Sequence, residues 1–297
     1  MSNTTPSQNS ASEPKYEVLT DSLLKLESTL HSTKDISIIL PTRGRGALLH
    51  KSLLTLIEKA YNITAIEFII AVDNDDIATE NYVKNTLVPD FDARNISLRV
   101  FSVPRFGYKK LHKYINFLSE QAHGHWIIFW NDDAIMITDH WDKPIIERIG
   151  QFKLLAFKDN HGHPYSIFPI LPRDWFILTG EFSSHPSNDA WVSQIAYICD
   201  IFERINVEVF HDRFDVTGNN HDDTFKEREI LEGSPDKPGD FNYIDMRRRR
   251  MDQCIKINWY LNKIGGSNDW LRKSLLGEID PWSKLFENDT GKNVHVE

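Results

Sequence analysis

Trp126-Ile127-Ile128-Phe129-Trp130-Asn131-Asp132-Asp133-Ala134 is the stretch that decides the fold. An uninterrupted apolar run stops at an amide and two adjacent carboxylates. A run that is apolar on both faces reads as a central strand covered on both sides, as parallel sheets require. In open α/β sheets, ligands bind beyond the carboxyl ends of the strands. Neighbouring acids at the edge of a core repel each other and resist desolvation. A divalent cation offsets both costs, because hard ions such as Mg²⁺ or Mn²⁺ take oxygen ligands and share them with substrate phosphates. A polar loop capping the next helix would use the same residues, so at this point both readings stand.

Outward from this stretch, strand and helix patterns alternate. Residues 36–40 read as a strand, followed by the loop Pro41-Thr42-Arg43-Gly44-Arg45-Gly46 and an amphipathic helix over 47–60. Residues 66–72 form a second strand ending at Asp73-Asn74-Asp75-Asp76, with a helix over 77–86. A third strand spans 96–103. The helix over 108–121 carries Leu111, Tyr114, Ile115 and Leu118 on one face and leads into the strand at 125–130. Such a succession predicts an α/β fold with a mostly parallel sheet flanked by helices, of the doubly wound, Rossmann-like kind. It also brings Pro41-Thr42-Arg43, Asp73–Asp76 and Asn131–Asp133 side by side on one edge.

After Ala134 the rhythm loosens. Helices are expected over 141–150, 172–179, 187–205 and 226–232, strands over 152–157 and 165–170 with a turn at 159–162 between them, and a short strand over 207–210. Residues 234–240 hold two prolines and a glycine and read as a hinge. A long helix over 241–264 ends at Gly265-Gly266, and the Trp- and Leu-bearing segment 269–286 is a further helix and turn. At the other end, residues 1–14 are polar and expected to be disordered, and 16–30 read as an outer helix. The chain thus divides into an N-terminal segment (1–34), a main domain (35–233, its halves meeting near 134) and a linker with a helical C-terminal extension (234–297).

The 297 residues carry a net charge of −9, which gives no global electrostatic case for nucleic acid. Cys199 and Cys254 are far apart and form no metal-type spacing, which suits a reducing compartment. No basic start followed by an apolar core marks a secretory signal, and no apolar run approaches the roughly 20 residues of a membrane span. A soluble cytoplasmic protein is expected.

The combination resembles glycosyltransferases of the GT-A fold, in particular the family 2 enzymes, over about two thirds of the chain. Ile38-Ile39-Leu40-Pro41-Thr42-Arg43-Gly44-Arg45 is similar to the family's strand-Pro-Thr-Arg opening, and Val72-Asp73-Asn74-Asp75-Asp76 to its first acidic segment. Phe106-Gly107-Tyr108 and the Asn116-bearing helix sit where the family has a Gly and an Asn. Asn131-Asp132-Asp133 resembles the Asp-x-Asp motif with its first acid replaced. The resemblance implies a nucleotide-sugar donor, UDP-linked, held with Mn²⁺ or Mg²⁺. Pro41, Thr42, Arg43, Asp73 and Asp75 would line the nucleotide pocket, with Lys109, Asn131 and Asp132 towards phosphate, ribose or sugar. Asp133 would ligate the metal, with His211 completing its coordination. Asp189, in a sequence similar to the acid pair that opens a helix in inverting members, would be the base that takes the acceptor proton.

The acceptor is left open between a glycan, a protein and a modified nucleic-acid base. Two other functions compete. A sugar nucleotidyltransferase would need a longer Gly-rich loop than Gly44-Arg45-Gly46. A non-catalytic binding protein on a degenerate transferase fold would accommodate Asn131 and Asn188. Arg105, Lys110, Lys113, His221, Trp175, Phe176 and Arg247–Arg250 are further candidates for contacts, each equally at home on a solvated or packed face.

Overall fold

The computed structural model describes residues 32–232, 241–265 and the single positions 273, 276 and 278. An eight-stranded sheet in the order β3-β2-β1-β4-β7-β6-β8-β5 runs through it. The strands are β1 (Lys34–Thr42), β2 (Ile66–Asp73), β3 (Ser97–Val103), β4 (Gly124–Phe129), β5 (Ala134–Met136), β6 (Leu154–Asp159), β7 (Pro169–Pro172) and β8 (Phe202–His211). β1 pairs in parallel with β2 and β4, and β2 with β3. β7 is antiparallel to β4 and to β6, so β6 again points the way β4 does, and β8 runs parallel to β6. The expected α/β sheet is therefore present, with an antiparallel strand in its middle and β5 antiparallel at its edge.

The first half carries the helices α1 (Gly46–Lys59), α2 (Ile77–Tyr82), α3 (Val88–Ala93) and α4 (Leu111–Glu120). The single helix expected over 77–86 is a longer run with a wide turn over Val83–Leu87. Pro89 follows immediately, and a ring without an N–H cannot continue regular i→i−4 bonding. The second half carries the short α5 (Lys143–Ile146), α6 (Arg173–Thr179), α7 (Asn188–Ile198), the short α8 (Phe214–Thr217), α9 (Asp223–Glu232) and the long α10 (Ile244–Lys263).

One expectation is corrected outright. The helix over 187–205 stops at Ile198, Asp200 turns the chain with φ 59°, and residues from Phe202 onward are strand. From Arg204 to His211 burial alternates strictly, with Ile205, Val207, Val209 and His211 inside. That is the two-residue period of a strand. The helix expected over 141–150 shrinks to Lys143–Ile146, and β5 and α8 had no anticipated counterpart. The expected helices at 16–30 and 269–286 and the hinge at 234–240 lie outside the described residues, apart from the three single positions.

Two apolar layers sandwich the sheet. On one side Ile36, Ile38 and Leu40 of β1 meet Leu49, Leu53 and Leu56 of α1, together with Trp126, Trp130 and Trp141. On the other, Ile39 and Ile127 meet α4, α6, α7 and α10, the last through Cys254, Ile257 and Leu261. The basic run on α10 is not uniformly a solvated face: Arg250 is fully buried, 3.9 Å over the Phe241 ring and 4.8 Å over Trp191. Trp175 is core as well, stacked on Phe152.

The loop after β4 is pinned from α1. Trp130 Nε1–H donates to Ser52 Oγ (2.8 Å), which donates to the Ala134 carbonyl (2.5 Å), with the Asn131 carbonyl 3.2 Å away. Ser52→Ala strands a buried indole N–H and a buried carbonyl. It should cost about 2–3 kcal/mol, seen as a lower urea midpoint with an unchanged m-value.

Candidate active site

The carboxyl ends of β1, β2, β3, β4, β6 and β8 all lie on one edge of the sheet, because these strands share one direction. Thr42, Asp73, Asp132, Asp133 and His211 are therefore neighbours although up to 169 positions separate them.

At the β1 and β2 ends, Arg43 Nη1 bonds Asp73 Oδ2 (3.1 Å), and the same guanidinium makes a two-pronged pair with Asp75. Tyr114 of α4 donates its hydroxyl hydrogen to Asp73 Oδ1 and accepts from the N–H groups of Phe106 (2.8 Å) and Gly107 (3.2 Å). Burial, reinforced by Asp73, pushes the Tyr114 hydroxyl up to about 12. Gly44, at φ 68°, separates the two arginines of the loop, and its N–H donates to Asp76 (2.6 Å), the cap of α2. Asp73 is buried and Asp75 exposed.

The acids after β4 form the centre. Asp132 and Asp133 are 6% and 4% exposed. Thr42 Oγ1–H donates to Asp132 Oδ2 (2.8 Å). His211 Nε2, 1% exposed, lies 2.9 Å from Asp133 Oδ1, and the Asn131 amide is 3.2 Å from the same nitrogen. Behind it, His211 Nδ1 faces His161 Nε2 at 3.0 Å. The Asn160 side chain accepts from the His211 N–H (2.8 Å) and donates to its carbonyl (3.2 Å), which fixes the end of β8. Burial first, then the charges of Arg213 and His211, push the His161 imidazole down to about 3, so it is neutral.

Burial also pushes the Asp132 carboxyl up to about 6; Arg45 opposes this and Asp133 adds to it. Burial acts on Asp133 in the same sense, but the hydrogen bond and charge of His211, with Arg45, hold it below the usual range. For Asp132 the folded-state value lies above the unfolded one, so its ionised form weakens the fold. That penalty is absent below about pH 4 and complete above about pH 6. Asp132→Asn should therefore raise stability at pH 7.5 by about 3 kcal/mol and change it little at pH 4, seen as a melting temperature that rises only at the higher pH.

Two residues of this centre had no place among the sequence-based candidates. Arg45 bonds Asp132 (2.8 Å), Asp133 (3.3 Å) and, through Nε and Nη2, Asp222 (2.5 and 2.8 Å). Tyr114 read as one more apolar-face residue of a helix. The only sequence signal for Arg45 was its repetition in Arg-Gly-Arg.

Asp133 and His211 can hold a divalent cation, with Asp132 adjacent. Among the described residues no group of three His, Cys, Asp or Glu side chains closes a cage. The fit is to an ion with a few protein ligands that completes its shell with phosphate and water, as Mg²⁺ commonly does. The charge fits too: Asp132, Asp133 and Asp222 converge on the single guanidinium of Arg45.

The second half supplies Asp189 in the first turn of α7, where its Oδ1 accepts from the Ala190 N–H (2.8 Å). Burial raises this carboxyl, against that bond and the positive charge of Arg213. Its charge acts on His163 and Tyr165, which stack on each other at 4.7 Å. Asn116 of α4 steadies the approach to α7 by donating to the Ser183 carbonyl (2.8 Å) and accepting from the Phe182 N–H (2.9 Å). Other candidates go elsewhere. Lys109 is exposed. Arg105 pairs with Glu227 (2.6 Å). His221 stacks on Phe214 and pairs with Glu229. Asp222 accepts from the Phe225 N–H (3.0 Å) beside the start of α9.

A mixed sheet of this order, flanked by helices and bearing its acids on the carboxyl edge, is the fold of GT-A-type glycosyltransferases. Among solved structures the chain is similar to the mannosyltransferase PcManGT from Pyrobaculum calidifontis, a complex with GDP-Man and Mn²⁺. The TM-score is 0.53 at 11% identity, over 92% of this chain and 94% of that one. It is also similar to GalNAc-T7 with UDP, GalNAc and Mn²⁺, with a TM-score of 0.50 at 13% identity, over 78% of this chain and 56% of that one. No family model and no curated protein matches the sequence. No helix among the described residues is long and apolar enough to cross a membrane.

Proposed function

We propose that the protein is a metal-dependent glycosyltransferase that moves a sugar from a nucleotide-sugar donor to an acceptor hydroxyl. The observation that carries this reading is the Asp133–His211 pair, drawn from two strand ends in opposite halves of the chain and set on the same edge as the Arg43–Asp73–Tyr114 cluster. The catalytic domain spans 35–233, with donor binding in 35–134 and acceptor binding in 135–233.

Pro41, Thr42, Arg43, Asp73 and Asp75 form the nucleotide side. Asp73, held by Arg43 and Tyr114, accepts from ribose hydroxyls or a uracil imide, and a UDP-linked donor is the one assigned here. Asn131 and Asp132 face ribose and sugar. Asp133 and His211 hold Mn²⁺ or Mg²⁺, which when bound stabilises the charge that develops on the leaving diphosphate. Asp189 takes the proton of the attacking hydroxyl. Its burial makes it a stronger base than a free carboxylate, and it sits where His163 and Tyr165 can pack against an acceptor.

Calorimetry with UDP, GDP, ADP and CMP, with and without Mn²⁺, tests the reading. Metal-dependent binding of one of them, followed by hydrolysis of the corresponding sugar nucleotide, is the expected result. A well-folded protein that binds none of them overturns it.

A further inference from the structure

Arg45 is the hub of the acidic centre. Its side chain is 9% exposed and meets three carboxylates: Asp132 at the end of β4, Asp133 beside it, and Asp222 just before α9. With Arg45 in this place, Asp133 has one oxygen against His211 and the other 3.3 Å from the guanidinium. Asp132 has one oxygen on Thr42 and the other on Arg45. Every oxygen a cation would use is already engaged.

We propose that Arg45 is a positioning residue that occupies the metal carboxylates until a diphosphate arrives, and then passes to that diphosphate, so that ion and donor enter together. This rests on the metal-dependent donor reading above. An ion entering alone would have to break buried charge-assisted bonds and then sit beside a guanidinium of the same sign. A diphosphate removes both obstacles. It offers Arg45 paired oxygen acceptors that match the guanidinium fork as well as a carboxylate does, and it supplies oxygens to the ion. The loop geometry serves this division of labour. The turn at Gly44 sends Arg43 to the nucleotide-side acids Asp73 and Asp75, and Arg45 to the metal-side acids.

The exchange has a second end. Asp222 meets Arg45 through both carboxylate oxygens. Its segment also reaches the donor half where Thr224 donates to the Arg43 carbonyl (3.0 Å) and Glu227 meets Arg105. Transfer of Arg45 to a diphosphate removes the strongest of these ties and leaves Asp222 free to re-pair.

The proposal requires opposite effects on two affinities, which a merely structural role would not produce. Free Mn²⁺ would be followed by electron paramagnetic resonance in titrations of the full chain, alone and with saturating UDP or GDP, for wild type, Arg45→Met, Arg45→Lys and Asp133→Ala. In Arg45→Met, Mn²⁺ alone should bind about tenfold more tightly, whereas the nucleotide in the presence of Mn²⁺ should bind about tenfold more weakly. The strengthening of Mn²⁺ binding by nucleotide, large in wild type, should nearly vanish. Arg45→Lys keeps the charge without the fork and should shift both affinities in the same directions by less; it decides the matter if the methionine variant does not fold. Unchanged or weakened Mn²⁺ binding without nucleotide in the folded variants overturns the proposal and leaves the metal reading intact. A wild type that binds no Mn²⁺ with either nucleotide, or binds it no better than Asp133→Ala, removes the metal reading and this proposal with it.

Discussion

Asp133→Ala should abolish Mn²⁺-dependent nucleotide binding and lower kcat/KM for sugar transfer on the order of a thousandfold, since the charge on a departing diphosphate is worth several kcal/mol of stabilisation. The size of the effect follows from position. Asp133 is the residue that joins the end of β4 to the end of β8: its carboxylate meets His211 and its backbone carbonyl accepts from the Asp212 N–H (2.9 Å). The backbone bond survives the substitution, so the loop stays in place. Stability should fall at neutral pH, because His211 and Arg45 favour the ionised Asp133 carboxyl and lose it as a partner, and the relief of the neighbouring charge on Asp132 offsets only part of that. A folded protein with a lower melting temperature, together with lost Mn²⁺ dependence, is the expected pair of results. Retention of more than a tenth of the Mn²⁺-stimulated turnover would show that the ion, if used, is held elsewhere.

Asp189→Asn should lower the transfer rate by a factor of about 10² to 10⁴, the usual contribution of a positioned base, while leaving nucleotide affinity within twofold. The amide oxygen can still accept from the Ala190 N–H, so α7 keeps its first turn. A carboxyl raised by burial must lose its proton to act, so wild-type activity should climb with pH through a value above that of a free aspartate. The variant should lack that limb. Donor hydrolysis by water should fall less than transfer. If transfer persists at wild-type speed, no base acts at this position.

Much of the first half of the fold was legible because its information is local. An apolar run on both faces, followed by acids, states both a central strand and the edge at which it ends. Thr42, Arg43, Asp73, Asp132 and Asp133 each follow directly from such an ending. His211 was reachable for the same reason, since Val207 and Val209 lead into it. The remaining parts depend on which distant segment comes to rest against which. Arg45 and Asp222 are 177 positions apart, and neither residue type nor spacing announces the pair. Tyr114 differs from its apolar neighbours on α4 by one hydroxyl, and only the fold brings that hydroxyl to Asp73. The start of β8 read as helix because Ile198, Ile201 and Ile205 fall three and four positions apart, a helical spacing that runs on from α7. Asp200 in the left-handed region decides between them, and a single non-glycine at positive φ leaves little trace in a sequence.

Pro41 has a consequence for the sheet itself. It pairs with Ala71 of β2 within β1, yet the last rung between β1 and β4 joins Ile39 to Phe129, with Trp130 N–H donating to the Ile39 carbonyl. The next rung on that side would run from the amide of residue 41 to the Trp130 carbonyl, and proline has no hydrogen to give. The two central strands must part there. From that point Thr42 and Asp132 face each other through side chains alone, whose bonds a ligand can replace without unzipping any backbone. The point at which the two strands part is thus written into the chain by a missing hydrogen, before any ligand arrives.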